Sequence, residues 1–202
     1  APLSAKSIKN IHGVLHKALK QAVLIGYLRT NPTEACILPR IIRKEMHPLE
    51  EDQVAVFLRE VQGHPHEYLY KIALFTGLRE GEVLGLGWEH IDFQAGTLTV
   101  KRQLRREQKK GGEYYFSPPK NNKSRCLTLA PSVIQLFRLQ KLEQNSMRME
   151  AGDAWEEHGL IFTNQTGGYL SYRTVYDCFK RIVRNIGAPA TRFHDLRHTF
   201  AV

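Results

Sequence analysis

A chain of 202 residues with 42% hydrophobic and 24% charged side chains has room for one sizeable domain, or a small one plus a medium one, and is too apolar to be disordered. No apolar run approaches the roughly 20 residues that a membrane-spanning helix needs, so no segment reads as a transmembrane helix. Twenty-nine Lys and Arg against 20 Asp and Glu leave a formal charge of +9, which suits a polyanionic partner. Nucleic acid is the first such partner, and an anionic membrane surface is the competing reading.

Ala1 to Lys6 lack the charged-then-apolar pattern of a secretory signal, so an intracellular, cytoplasmic protein is expected. Residues from Ser4 to about Leu28 read as a helix. Ile8, Ile11, Leu15, Leu19 and Ala22 recur at three- and four-residue intervals, while Lys6, Lys9, Lys17 and Lys20 gather on the opposite side. Ser4 suits the N-cap and Asn31-Pro32 a stop. The lysine stripe is explained as well by a solvated face as by a DNA contact. One helix cannot bury its own apolar stripe, so partner helices outside this chain are expected. Pro39 to Pro48, basic and bounded by prolines, reads as a linker.

Beyond the linker, Leu49 to Val61 and Glu67 to Phe75 have helical spacing, the second closed by Thr76-Gly77. A third helix begins near Arg79 and buries Val83, Leu84 and Leu86. Strands follow at Thr97–Val100, Tyr114–Phe116 and Arg125–Leu129. Between the first two lies Lys101 to Gly112, a basic arm with a turn, in which Arg105 and Arg106 are candidate phosphate contacts or simply solvated side chains. Helices return at Ser132–Met149 and Tyr172–Ile186, and Thr191 to Val202 opens another. The three cysteines, Cys36, Cys126 and Cys178, show no metal-ligand spacing, and an odd number fits reduced thiols. The expected fold is α+β, mostly α-helical, with a small antiparallel sheet.

Two segments carry chemistry-bearing residues: Gly77-Leu78-Arg79-Glu80-Gly81-Glu82 and His194-Asp195-Leu196-Arg197-His198. Singly, Arg79 and Glu82 could be a helical ion pair, worth a few tenths of a kcal/mol, and His194 and Arg197 a solvated helix end. His194 and His198, at i and i+4, could hold zinc, but no Glu stands between them and no third ligand is evident, so no metal is assigned. No other cofactor is called for.

Together the two segments resemble the paired boxes of the tyrosine recombinase (phage integrase) family, most like the integrases of phages and conjugative transposons. Trp88 to Phe93 leading into Thr97–Val100, Ser117 to Arg125 before the next strand, and Gly159 to Asn164 extend the resemblance over about residues 47–202. It implies a catalytic domain at 49–202, a linker at 39–48, and the end of a helical core-binding domain at 1–38. It also implies roles. Arg79 and Arg197 would bracket the non-bridging oxygens of a scissile phosphate, a task suited to always-charged, bidentate guanidinium groups. Lys120, preferred over Lys123, would protonate the leaving 5′-oxygen, and His194 would assist proton transfer. Glu82 would orient the cluster and balance its charge, and His198 would support packing.

The resemblance implies site-specific recombination of double-stranded DNA through a 3′-phosphotyrosine, with protomers associating as a tetramer on two duplexes and no membrane involved. Yet all eight tyrosines precede His194, so no nucleophile is assigned. The chain reads as an internal piece of a longer integrase that should bind DNA without cleaving it. The alternative is a non-catalytic DNA-binding regulator or remnant. An RNA-binding protein is a weaker reading, since aromatic stacking motifs are lacking.

Overall fold

The computed structural model describes residues 2–42, 46–109, 111–119 and 122–200. It divides into two compact units, Ala1–Glu45 and Met46–Val202.

In the first unit, Ser4 accepts the Ser7 backbone N–H at 3.1 Å and starts helix α1, Ala5–Leu24. The helix ends four residues earlier than its apolar spacing suggests. Gly26 takes φ +83°, and the N–H groups of Tyr27 and Leu28 both turn back to the Ala22 carbonyl. Asn31 then caps a short 3₁₀ turn, Pro32–Ala35. The turn is pinned to α1 by side chains. Asn31 donates to the His16 carbonyl at 3.1 Å, Thr33 Oγ1 lies 2.9 Å from His16 Nδ1, and the Thr33 carbonyl lies 3.1 Å from His12 Nε2. No residue of α1 is buried, and Ile11 and Leu15 of its stripe are exposed, as is the neighbouring Val14. Lys6, Lys17 and Lys20 are exposed and Lys9 is half-buried.

The second unit opens with helix α2, Glu51–Glu60, where Gln53 reaches back to the Glu50 N–H at 3.1 Å. Helix α3, Glu67–Thr76, carries six buried residues, and Gly77 closes it at φ +61°. Only glycine enters that left-handed region without strain, and here a Cβ would also meet Phe200 at 2.8 Å. Helix α4, Glu80–Leu84, is a turn and a half long, so Leu86 is buried beyond its end rather than within it.

Strands β1 (Ile91–Asp92), β2 (Thr97–Val100) and β5 (Arg125–Thr128) form an antiparallel sheet in the order β1-β2-β5. In it Leu98 faces Leu127 and Val100 faces Arg125. The stretch expected to be a basic arm contains a strand of its own, β3 (Gln103–Arg106), paired with β4 (Tyr114–Ser117) as a separate ribbon. Its Leu104 is fully buried, and an apolar contact of this kind outweighs the solvation of the basic residues around it. The ribbon lies directly on α4 because two glycines leave room for it. A Cβ on Gly85 would stand 2.7 Å from the Leu104 nitrogen, and one on Gly81 would stand 3.2 Å from the Leu104 carbonyl oxygen.

Helices α5 (Pro131–Ala151), α6 (Tyr172–Asn185) and α7 (Asp195–Phe200) complete the unit. Val175, Phe179, Ile182 and Val183 give α6 its buried face. Phe57, Tyr70, Phe179 and Phe193 meet at angled contacts with centroids 5.5 to 6.4 Å apart, the arrangement that aromatic quadrupoles favour. Buried Gln140 and Gln144 hold the 160–161 segment through its carbonyls, and Gln144 accepts from Trp88 Nε1 at 2.8 Å. Helix α7 is fastened to the start of α2 by the Leu49 N–H, which donates to Thr199 Oγ1 at 2.9 Å. The fold is α+β and mostly helical, as the sequence led one to expect.

Candidate functional site

The αL turn at Gly77 ends α3 and aims the next residues, Leu78 into the core and Arg79 to the cap position of α4. From the first turn of α4, Glu82 points inward, its side chain 1% exposed. Four hydrogen bonds converge on this carboxylate. Oε2 accepts the Arg79 backbone N–H at 2.9 Å and Oε1 accepts Arg79 Nη1 at 2.9 Å. Arg125, from the first position of β5, adds a fork: Nη1 to Oε1 at 2.9 Å and Nη2 to Oε2 at 2.6 Å. Burial alone would raise the Glu82 carboxyl, but the hydrogen bonds and charges of Arg125 and Arg79 outweigh it and hold its pKa at about 2. Glu82 is therefore ionised at neutral pH.

Arg197, on α7, reaches the same place by donating Nη1 to the Gly77 carbonyl at 2.8 Å. Burial and the nearby positive charges of Arg79 and Arg125 lower it from the ordinary arginine value, with Glu82 opposing. His194 is exposed and stands against His198, the ring centroids 5.4 Å apart and nearly perpendicular. Burial of part of its ring, then the charges of His198, Arg79 and Arg197, hold His194 below the usual imidazole value, with Asp195 opposing, which favours the neutral form. Asp195, fully buried, is forked by Arg192 at 2.9 and 2.7 Å and also accepts the Arg192 N–H, which fixes the start of α7.

The structure places Arg79, Glu82 and Arg197 around the turn at Gly77 and the start of α4, and His194 close enough to feel the charges of Arg79 and Arg197. Lys120 lies outside the described residues. Arg105 is exposed on β3 opposite Tyr115, whereas Arg106 folds over the Tyr114 ring at 5.2 Å and donates to the Gly112 carbonyl at 2.8 Å. The Lys6, Lys9, Lys17 and Lys20 face belongs to the other unit. Among the described residues, no group of three or more His, Cys, Asp or Glu is arranged to hold a metal ion. Sequence reasoning missed Arg125. A signal existed: strand alternation puts Arg125 on the same face as Leu127, and a charge on an inward position requires a buried counter-charge.

Chemically, two guanidinium groups bind one carboxylate and a third, Arg197, lies nearby on the Gly77 carbonyl, which leaves a net positive charge beside an exposed imidazole. Such a cluster can hold a phosphate-like anion, stabilise added negative charge on its oxygens, and exchange a proton at the imidazole.

Residues 47–202 match the sequence profile of the phage integrase family. A tyrosine recombinase XerC-like protein of Caldanaerobacter subterraneus is 28% identical over 98% of this chain and 55% of its own length. The ICEBs1 integrase of Bacillus subtilis is 26% identical over 98% of this chain and 53% of its own. Among solved structures, the Tn1549 transposon integrase in complex with transposon right end DNA superposes with a TM-score of 0.82 at 25% identity. That match covers 98% of this chain and 66% of the other. The chain belongs to the phage integrase family. It spans about half the length of the curated relatives it matches.

Proposed function

We propose that this chain is the phosphate-recognising part of a tyrosine-type site-specific DNA recombinase, acting in the integration or excision of mobile DNA in the cytoplasm. The observation that carries the reading is the pair Arg79 and Arg197, each tied to the protein through one Nη1 and gathered near His194. In this reading the two guanidinium groups bracket the non-bridging oxygens of a DNA phosphodiester, where charge grows in the transition state. His194 hydrogen-bonds the phosphate and assists proton transfer, and Glu82 fixes Arg79. Lys120 keeps the role of general acid on the family resemblance. Storing the bond energy in a covalent 3′-phosphotyrosine removes any need for ATP.

Residues 49–202 form the catalytic domain, 39–48 a linker and 1–38 the end of a core-binding domain. The Lys6, Lys9, Lys17 and Lys20 face and Arg105 contact the DNA backbone, and full-length protomers assemble as a tetramer on two duplexes. The DNA complex of the similar Tn1549 integrase supports a duplex partner. No nucleophile is assigned within 1–202. The Tyr70 and Tyr172 hydroxyls, for instance, are committed to the carbonyls of Val175 and Leu104. The 202-residue chain should therefore bind DNA and form no covalent adduct.

The test is a nicked suicide duplex that traps the covalent intermediate. The full-length protein should form it, and Arg79→Ala should slow its formation by about 10³-fold while DNA affinity changes little. If the full-length protein binds the duplex but yields no adduct, the non-catalytic regulator is the correct reading. An adduct formed by the 202-residue chain itself would show that a tyrosine within it attacks.

A further inference from the structure

We propose that Arg125 is a positioning residue for phosphate recognition: it occupies both oxygens of Glu82 and so prevents Arg79 from closing its own fork onto that carboxylate. The proposal rests on the recombinase reading above and assigns a task that reading leaves open, namely what keeps an arginine beside a buried glutamate available to an anion.

A carboxylate offers about four lone-pair sites, and an unconstrained Arg–carboxylate pair prefers two parallel N–H···O bonds. At Glu82 all four sites are taken, two by Arg125, one by the Arg79 backbone N–H and one by Arg79 Nη1. Arg79 is thereby limited to a single side-chain bond. Among the described residues its Nη2 and Nε meet no acceptor, and its side chain is 39% exposed. Arg125 has the opposite disposition, its fork turned entirely inward onto Glu82.

The backbone makes this division of labour stable. Arg125 stands on β5, paired to Val100 of β2, while Arg79 and Glu82 belong to the start of α4. The blocking group therefore comes from a different element and cannot drift with the pair it separates. Charge balance follows the same division. Arg125 neutralises Glu82, so the charges of Arg79 and Arg197 stay uncompensated and open to an anion. Without Arg125, both Glu82 oxygens regain room, and Arg79 would turn its second donor inward and away from the phosphate.

The experiment uses the full-length protein and the same suicide duplex, with single-turnover cleavage rate at saturating DNA, DNA dissociation constant and melting temperature read in parallel. Arg125→Ala should cleave about 10²-fold more slowly with its dissociation constant within about threefold of wild type. Adding Glu82→Gln removes the charge that captures Arg79, and the double variant should regain at least about tenfold in rate. A residue that merely supports folding would show no such gain between variants of equal melting temperature. If Arg125→Ala does not fold, Arg125→Lys carries the test: it keeps a positive charge beside Glu82 but cannot fork both oxygens, and it should cleave at least about tenfold more slowly than wild type with an unchanged dissociation constant. The proposal is overturned if the folded double variant is as slow as Arg125→Ala, which would mean that Arg125 itself holds the phosphate. It is equally overturned if Arg125→Ala cleaves at the wild-type rate. A wild-type protein that makes no adduct, or an Arg79→Ala variant that cleaves normally, would instead sink the recombinase reading beneath it.

Discussion

Glu80 and Glu82 stand two residues apart on α4, yet their surroundings drive them in opposite directions. Glu82, held by two arginines, has its pKa near 2, while burial pushes Glu80 up to about 7, and its Oε1 is enclosed without a hydrogen-bond partner among the described residues. The consequences for stability are opposite too. Glu82 binds its proton less readily in the fold than in the unfolded chain, so its contribution is complete above about pH 4.5 and is lost as the pH falls toward 2. Glu80 binds its proton more readily in the fold, so its cost is absent below about pH 4.5 and grows to completion as the pH rises past 7. Glu80→Gln should therefore raise the melting temperature at pH 8 by about 2–4 °C for each kcal/mol recovered, and change it little at pH 5. Calorimetry at the two pH values checks this. His194 gives a third pH signature: if its neutral form assists proton transfer, the cleavage rate falls on acidification, and His194→Gln should flatten that limb. At this scale Arg79, Glu82, His194 and Arg197 were singled out because the two segments that carry them resemble, as a pair, the boxes of a known family. Arg125 was not, because its one sign was an inward-facing charge in a four-residue strand, too short for alternation to stand out.

The elements themselves were read well where an apolar stripe repeats several times, as in α6. They were read poorly where a single contact decides the conformation. Strand β3 has one buried side chain, Leu104, among basic neighbours, and what makes it a strand is the glycine-lined surface of α4 against its backbone. That surface predicts an asymmetry between two glycine substitutions. Gly85→Ala places a methyl group 2.7 Å from the Leu104 nitrogen and should cost about 1–3 kcal/mol, with hydrogen-exchange protection lost first in β3. Gly13→Ala, in mid-helix with nothing within 4 Å, should stabilise α1 by roughly 0.5–1 kcal/mol. Circular dichroism and denaturant titration distinguish the two.

At the scale of the molecule, every buried apolar residue of the core described here lies between Leu49 and Leu196. Residues 46–202 made without the first unit should therefore melt cooperatively within a few degrees of the 202-residue chain. The apolar stripe of α1 was legible from its spacing. What covers it was not, because a stripe carries no record of its partner. DNA binding by the 202-residue chain should weaken steeply with salt, and Arg79→Ala should reduce the slope of log K against log salt by about one contact's worth, near 0.9. The meeting of α4 with β3 has a wider consequence. There, main chain rests on main chain, so the contact asks for space and says nothing about which side chains the ribbon displays on its far side. Arg105 and Tyr115, on that outer face, can be exchanged for other residues without disturbing the arginine cluster. The ribbon is thus a replaceable part, and a new surface chemistry can be grafted onto it while the arginine cluster is kept whole.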